Sequence, residues 1–233
     1  MRDFLLAKLK DERKAINGMR EDIYNILRRR IIRGDYEQGE VIREVDLAKE
    51  FNVSRTPIRE VFQNLQRDKL ISLLPHRGAQ VTFIEFDFFF QVVAVKTELE
   101  LMAIRVAAKR INEKELEQLR AIEREASGLD MEENADKNFE KMLELDTEFH
   151  RTVRKAAKNS VLSDAVENLQ AHVNRYYYYT RYTAAKTLNH FSVDFHSMIE
   201  ALAKHDPQEA EETLRTHMGS YYQLIQKIYM DMS

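Results

Sequence analysis

The chain has no cysteine among its 233 residues, which excludes a disulfide framework and any thiolate metal site. A metal would have to be held by His, Asp or Glu. The same absence fits a reducing cytoplasm. Glycine and proline are scarce, at six and three residues, while Ala, Leu, Glu, Lys and Arg recur throughout. Few tight turns and long helices follow, so the protein is expected to be mostly helical. Long apolar runs are missing too. The stretch from Phe4 to Leu9 is broken by Lys8 and followed by Lys10, Asp11 and Glu12, which leaves no secretory core, and no segment approaches the ~20 apolar residues of a membrane span. A soluble, cytoplasmic protein without a membrane partner is expected.

The length suits two modest domains, each with its own core. Charge divides the chain in the same way. The net of −3 averages over a first part, residues 1–84, with 17 Lys+Arg against 13 Asp+Glu, and a remainder with 19 against 26. A basic head on an acidic body is what a nucleic-acid-binding module joined to a module of another kind would show.

After a polar extension over residues 1–15, expected to fray, Ile23, Ile26, Leu27 and Ile31 recur at helical spacing up to Gly34, a natural terminator. Leu47, Ala48 and Phe51 line a second short helix. A break at Asn52-Val53 precedes Ser54, a good N-cap, and Pro57 falls in the first turn of a third helix whose apolar face is Ile58, Val61, Phe62 and Leu65. Two short helices around a tight turn make a helix-turn-helix. Its second helix opens with Arg55, Thr56 and Arg59. Arginine pairs bidentately with guanine edges, while hydroxyls and a helix N-terminus suit phosphate oxygens. Beyond Leu70, Ile71 to Leu74 and Ala79 to Phe83 read as two strands around Pro75-His76-Arg77-Gly78, a basic hairpin tip small enough to reach a backbone or minor groove. The unit over residues 16–84 is therefore expected to be a winged helix. The alternative for Arg55 and Arg59 is that they only solvate a helix face.

The run from Ile42-Arg43-Glu44 through Asp46-Leu47-Ala48, Val53-Ser54-Arg55-Thr56-Pro57-Ile58-Arg59-Glu60 and Pro75-His76-Arg77-Gly78-Ala79 closely resembles the GntR superfamily of bacterial regulators. That resemblance implies recognition-helix contacts at Ser54, Arg55, Thr56 and Arg59, wing-tip contacts at His76 and Gly78, and a further contact at Arg43. Gln38 stands where the family usually has proline, at a position that serves a turn.

From Phe86 the pattern is helical throughout, with helices expected near 86–110, 113–127, 136–157, 160–182, 187–204 and 207–230, forming an all-α antiparallel bundle over residues 85–233. Asn112 and Glu115 make a capping box, and Asp206, Pro207 and Glu209 open the last helix. Phe83, Phe86 and Phe88-Phe89-Phe90 are expected to pack the first bundle helix against the winged helix and a partner. Tyr176 to Tyr179 cover a whole helix circumference, so some must face out or into an interface or pocket.

Asp146 and His150 lie four apart on one helix face, and His196 and His217 sit on two later helices. A carboxylate and three imidazoles suit Zn²⁺ and are acceptable to Mn²⁺, Fe²⁺ or Ni²⁺. By spacing alone such histidines are more often satisfied core residues than ligands. Leu145-Asp146-Thr147-Glu148-Phe149-His150, Ala156 to Ser160, Phe195-His196-Ser197-Met198-Ile199-Glu200-Ala201-Leu202 and Ala210 to His217 look like the FCD effector domain of FadR-type GntR regulators, in its shorter six-helix form. That resemblance implies a divalent metal on Asp146, His150, His196 and His217, zinc first, with a small carboxylate metabolite beside it. The family often has arginine where this chain has Lys96, which keeps the charge and loses the bidentate fork. Arg175 and Asn159 are further candidates for the effector cavity.

The expected protein is thus a homodimeric repressor that binds a palindromic operator and answers to a metal-associated organic acid. The alternative is a metal-dependent hydrolase with an accessory winged helix, because such ligand sets also activate water. Its candidate base, Glu148, projects away from the face shared by Asp146 and His150. A third reading makes the bundle a metal-free dimerisation scaffold.

Overall fold

The computed structural model describes residues 2–129, 135–180 and 191–232. The chain separates into two compact units, Met1–Ile84 and Glu85–Ser233.

The first unit holds α1 (Arg2–Arg33), β1 (Val41–Ile42), α2 (Glu44–Glu50), α3 (Arg55–Arg67), β2 (Ile71–Leu74) and β3 (Gly78–Val81). Residues 2–15, expected to fray, are helical and continuous with the rest of α1. The helix stops at Gly34, whose positive φ of 81° lets its N–H reach the Ile31 carbonyl and that of Asp35 reach Arg30. Asn52 repeats the device after α2: at φ 52° it turns the chain so that the Val53 N–H closes on Ala48. Ile23, Leu27 and Ile31 of α1 meet Leu47 and Ala48 of α2 and Ile58, Val61, Phe62 and Leu65 of α3 in one core, closed below by Ile42, Ile71, Ala79 and Val81. The hairpin appears as expected, with Ile71 opposite Val81 and Leu74 opposite Gly78. A third strand joins it, giving the order β1-β3-β2 with Ile42 opposite Ala79. Gly78 (φ 104°) has room only for hydrogen, because a Cβ there would come within 2.2 Å of the Ile42 carbonyl oxygen. The Gln38 side chain accepts the N–H of Ile84 at 2.9 Å and so ties down the end of the unit.

The second unit is a helical bundle: α4 (Phe86–Ala108), α5 (Glu113–Ser127), α6 (Ala135–Ala156), α7 (Ser160–Tyr179), α8 (Phe191–Ala203) and α9 (Pro207–Met232). Expected and observed helices correspond within a few residues, and residues 181–190, between α7 and α8, lie outside the described residues. Helix α4 packs against α6, α7, α8 and α9, and α5 lies on α6 and α8. Both predicted caps form. Asn112 and Glu115 exchange hydrogen bonds at 3.0 and 2.9 Å, and Asp206 accepts from Gln208 and Glu209.

The phenylalanines of α4 pack within this unit: Phe89 stacks on Tyr176 at 4.0 Å, Phe86 meets the same ring edge-on, Phe88 meets His172 and Phe90 meets Tyr222. Phe83 is exposed. Of the four tyrosines, Tyr176 and Tyr177 are buried, Tyr178 is half-buried and Tyr179 is exposed, the distribution a helix imposes on four successive residues.

Candidate nucleic-acid interface and buried metal centre

In the first unit, Arg43, Ser54, Arg55, Thr56, Arg59, His76 and Arg77 are all exposed, on the α2 N-cap, the start of α3 and the wing tip. Ser54 takes the extended backbone of an N-cap yet closes no side-chain capping bond. Ser54 is the N-cap residue as expected; Pro57, the third residue of α3, removes one of the two N–H groups its oxygen could accept from, the other being that of Thr56. Arg59 lays its Nε 2.9 Å from both carboxylate oxygens of Glu44, which fixes the guanidinium relative to α2 while its side chain stays 60% exposed. His76 adopts a left-handed φ of 61° at the exposed tip, whereas Gly78 is half-buried and serves the close approach of β1.

In the second unit, α6 places Asp146, His150 and Arg154 at successive four-residue steps, α4 contributes Lys96 and Glu100, and α9 contributes His217; all six are buried. His150 Nε2 lies 3.4 Å from His217 Nε2, and Asp146 Oδ1 lies 3.6 and 3.7 Å from these two nitrogens. A point equidistant from three atoms so spaced is about 2.1 Å from each, within the zinc–nitrogen and zinc–oxygen range of roughly 2.0–2.2 Å. Asp146 Oδ1 is buried with no hydrogen-bond partner. An orphaned carboxylate oxygen and two converging imidazole nitrogens are the donor set a divalent cation completes, and among the described residues these three form the one such cluster. The residues present therefore fit a metal.

Burial raises the Asp146 carboxyl above its usual range, an effect opposed by His217 and Lys96. Burial, then the positive charge of Lys96, pushes the His150 imidazole well below its usual value of 6.5. The folded chain thus holds His150 neutral. Stability from this group is complete above pH 6.5 and is lost as the pH falls toward the folded value. Metal-free protein is expected to melt at a lower temperature near pH ~5 than near pH ~7, with a shallower decline in His150→Gln. Parallel melts of the two proteins in chelator across that range measure the difference, and equal slopes would contradict a buried neutral His150.

His196 is not in the cluster. Its side chain is 64% exposed and its Nδ1 lies 3.0 Å from Glu123 Oε1 on α5. Successive helical residues are about 100° apart, and on α8 the inward position belongs to Phe195, fully buried and stacked on Phe149 at 4.3 Å with its ring 6.2 Å from that of His217. Of the four residues expected to hold a metal, the structure brings together Asp146, His150 and His217 and sets His196 apart. Asn159 is engaged as the N-cap of α7, accepting from the Leu162 N–H at 3.1 Å. Arg175 is buried, which lowers its guanidinium to about 10. Lys96 belongs to the buried network, 3.1 Å from Glu100 Oε1, which also accepts from Arg154 Nη1 at 2.7 Å. Glu100 and Arg154 escaped the sequence reading, although charged residues on the inward faces of α4 and α6 were the available signal. Glu148, the base the hydrolase alternative names, pairs with Arg151 at 2.6 Å on a half-exposed surface and is not in the cluster.

Comparison with known proteins agrees with this division. Residues 19–81 match the family "Bacterial regulatory proteins, gntR family", and residues 91–220 match the FCD domain. The HTH-type transcriptional repressor RspR of Escherichia coli K12 is 29% identical over 223 residues, 91% of each chain. The solved structure of E. coli McbR/YncC superposes with a TM-score of 0.77 at 18% identity, covering 91% of this chain and 98% of that one. A GntR regulator from Rhodococcus sp. RHA1 gives 0.70 at 19% identity, with 89% and 97% covered. Among the described residues, no helix is long and apolar enough to cross a membrane. The winged helix with its exposed arginines and the bundle that follows it are two parts of one regulator, and the chain belongs to the GntR family of DNA-binding transcriptional regulators, in the branch that carries a C-terminal FCD domain.

Proposed function

We propose that this regulator is a homodimeric repressor whose hold on a palindromic operator is set by a divalent cation and a small organic acid bound in its second unit. The observation that carries the reading is the convergence of Asp146 Oδ1, His150 Nε2 and His217 Nε2 around one buried point, with the Asp146 oxygen left unpartnered. A cation held there would offer Lewis-acidic positions to a carboxylate. The chain's own residues do the remaining work: His150 and His217 present their Nε2 atoms to the same point, Lys96 lies within the same buried network, and Phe149 and Phe195 pack one side of it. Coupling to DNA requires that the bound ligand favour one arrangement of the two heads over another. A two-fold dimer presents two recognition helices, hence inverted half-sites.

At the other end, Ser54, Arg55, Thr56 and Arg59 of the recognition helix and Arg43, His76 and Arg77 beside it supply the DNA contacts. Arg59→Ala is expected to weaken specific operator binding by about 1–3 kcal/mol while affecting non-specific binding far less, because a bidentate base contact carries discrimination. Titrations of operator and scrambled DNA at several salt concentrations test it. Unchanged specific affinity and salt slope would remove Arg59 from the interface. Elemental analysis of the purified protein, together with its mass in solution, tests the metal and the dimer.

A further inference from the structure

Arg59 is placed by a residue outside the recognition helix. Its Nε donates to Glu44, whose carboxylate oxygens both lie at 2.9 Å. Glu44 is the first residue of α2 and Arg59 lies in the second turn of α3, so the ion pair spans the two helices of the helix-turn-helix. Exposure is uneven across it. The Glu44 side chain is 21% exposed and that of Arg59 60%, which makes the carboxylate the anchored partner and the guanidinium the one that meets solvent. An exposed pair of this kind adds little stability, because water screens it and two side chains lose rotamer freedom. What it supplies is order. A free arginine surrenders its rotamers when it meets DNA, whereas one already held by Nε has given up part of that freedom beforehand. The contact occupies the Nε–H, and the N–H groups on Nη1 and Nη2 can meet the O6 and N7 acceptors of a guanine. Glu44 has two simpler roles open to it. Its negative charge favours the start of α2 through the helix dipole, and the same charge repels phosphates. Both need the charge, and neither needs the reach of the side chain.

We propose that Glu44 is a positioning residue for operator recognition: its carboxylate holds Arg59 by Nε so that the rest of the guanidinium reads a guanine, and the regulator's preference for its operator over other DNA depends on that hold. Phosphates are acceptors that a mobile Arg59 would find on any duplex, and they carry no sequence information. Holding Arg59 to α2 therefore strengthens the base contact and limits the sequence-independent one. This inference rests on the reading of Arg59 as a base-contacting residue.

The test uses the full chain and a duplex that it enriches from a randomised double-stranded DNA library, set against a shuffled duplex of the same composition. The readout is the ratio of the two affinities, and binding to the shuffled duplex shows that each variant still folds its DNA-binding head. Glu44→Gln keeps an acceptor at the same reach and drops the charge, whereas Glu44→Asp keeps the charge and withdraws the carboxylate by one methylene. Glu44→Gln is expected to stay within about threefold of the wild-type ratio, and Glu44→Asp and Glu44→Ala to lose about tenfold or more, the scale of one bidentate base contact. In Arg59→Ala, where the ratio has already fallen, the same substitutions should change it no further, because the two residues act as one unit. Replacing guanine by 7-deazaguanine in the enriched duplex, which removes the N7 acceptor, should cost the wild type more than it costs Glu44→Ala. A wild-type ratio in Glu44→Asp with a loss in Glu44→Gln would show that charge alone matters and would overturn the proposal. So would a Glu44→Ala loss that persists undiminished in Arg59→Ala. If Arg59→Ala lowers the ratio and Glu44→Ala does not, the positioning role falls and the base contact stands. If Arg59→Ala leaves the ratio unchanged, the base-contact reading falls with it.

Discussion

Replacing Glu100 by leucine is expected to destabilise the second unit by about 3–5 kcal/mol, the cost of leaving buried charges uncompensated. Glu100 is fully buried and its Oε1 is shared by Arg154 at 2.7 Å and Lys96 at 3.1 Å. Without it Lys96 loses its carboxylate, and Arg154 keeps only the half-exposed Glu167, 3.5 Å from its Nη2. Lys96→Met is expected to cost much less, because the shorter Arg154–Glu100 bond survives. The triple variant Lys96→Met, Glu100→Leu, Arg154→Met should recover most of the stability, since apolar residues of similar volume need no compensation. Urea unfolding followed by far-ultraviolet circular dichroism gives the ordering, and a Glu100→Leu protein within about 1 kcal/mol of wild type would show that the network does not have the buried geometry described.

Asp146→Asn is expected to move stability in opposite directions with and without metal. A carboxyl raised by burial contributes most when protonated: its stabilisation is present below the usual 3.8 and is lost as the pH rises through the folded value. Once it ionises, the buried Asp146 carboxylate with its unpartnered Oδ1 is a cost to the metal-free fold. The amide keeps the shape without the charge, so the metal-free variant should melt at or above the wild-type temperature. With a divalent cation at about a hundredfold its dissociation constant, the wild type should gain about 2.7 kcal/mol, roughly 5–10 °C for a chain of this size. Asp146→Asn should gain close to nothing. A variant that matches the wild-type gain would place the metal elsewhere.

These two effects come from groups with very different visibility in the sequence. Asp146 and His150 were legible because both lie on one helix at a spacing of four, and His217 because the surrounding segment resembles a known domain. The winged helix was legible for a similar reason. Its Gly34 terminator, its Asn52-Val53 break, its Ser-Arg-Thr-Pro opening and its hairpin tip act over three to six neighbouring residues. What was missed has no local signature. Strand β1 is two residues long and exists through its pairing with β3, so no period could reveal it. Ser54 takes the N-cap position its residue type announced, but that its hydroxyl closes no capping bond could not be read from the sequence.

By itself, then, the chain's order of residues determined where the helices start and stop, which unit carries the basic face, and that Asp146 and His150 share a side of α6, because each follows from backbone preferences and spacing along one element. The tertiary structure alone decided that Phe195 and not His196 faces His217, and that Lys96, Glu100 and Arg154 meet in one buried network. Neither can be read along the chain. A one-residue difference on α8 is a rotation of about 100° whose phase is set by packing against other helices, and the charged network joins groups that meet only when α4 and α6 are brought together.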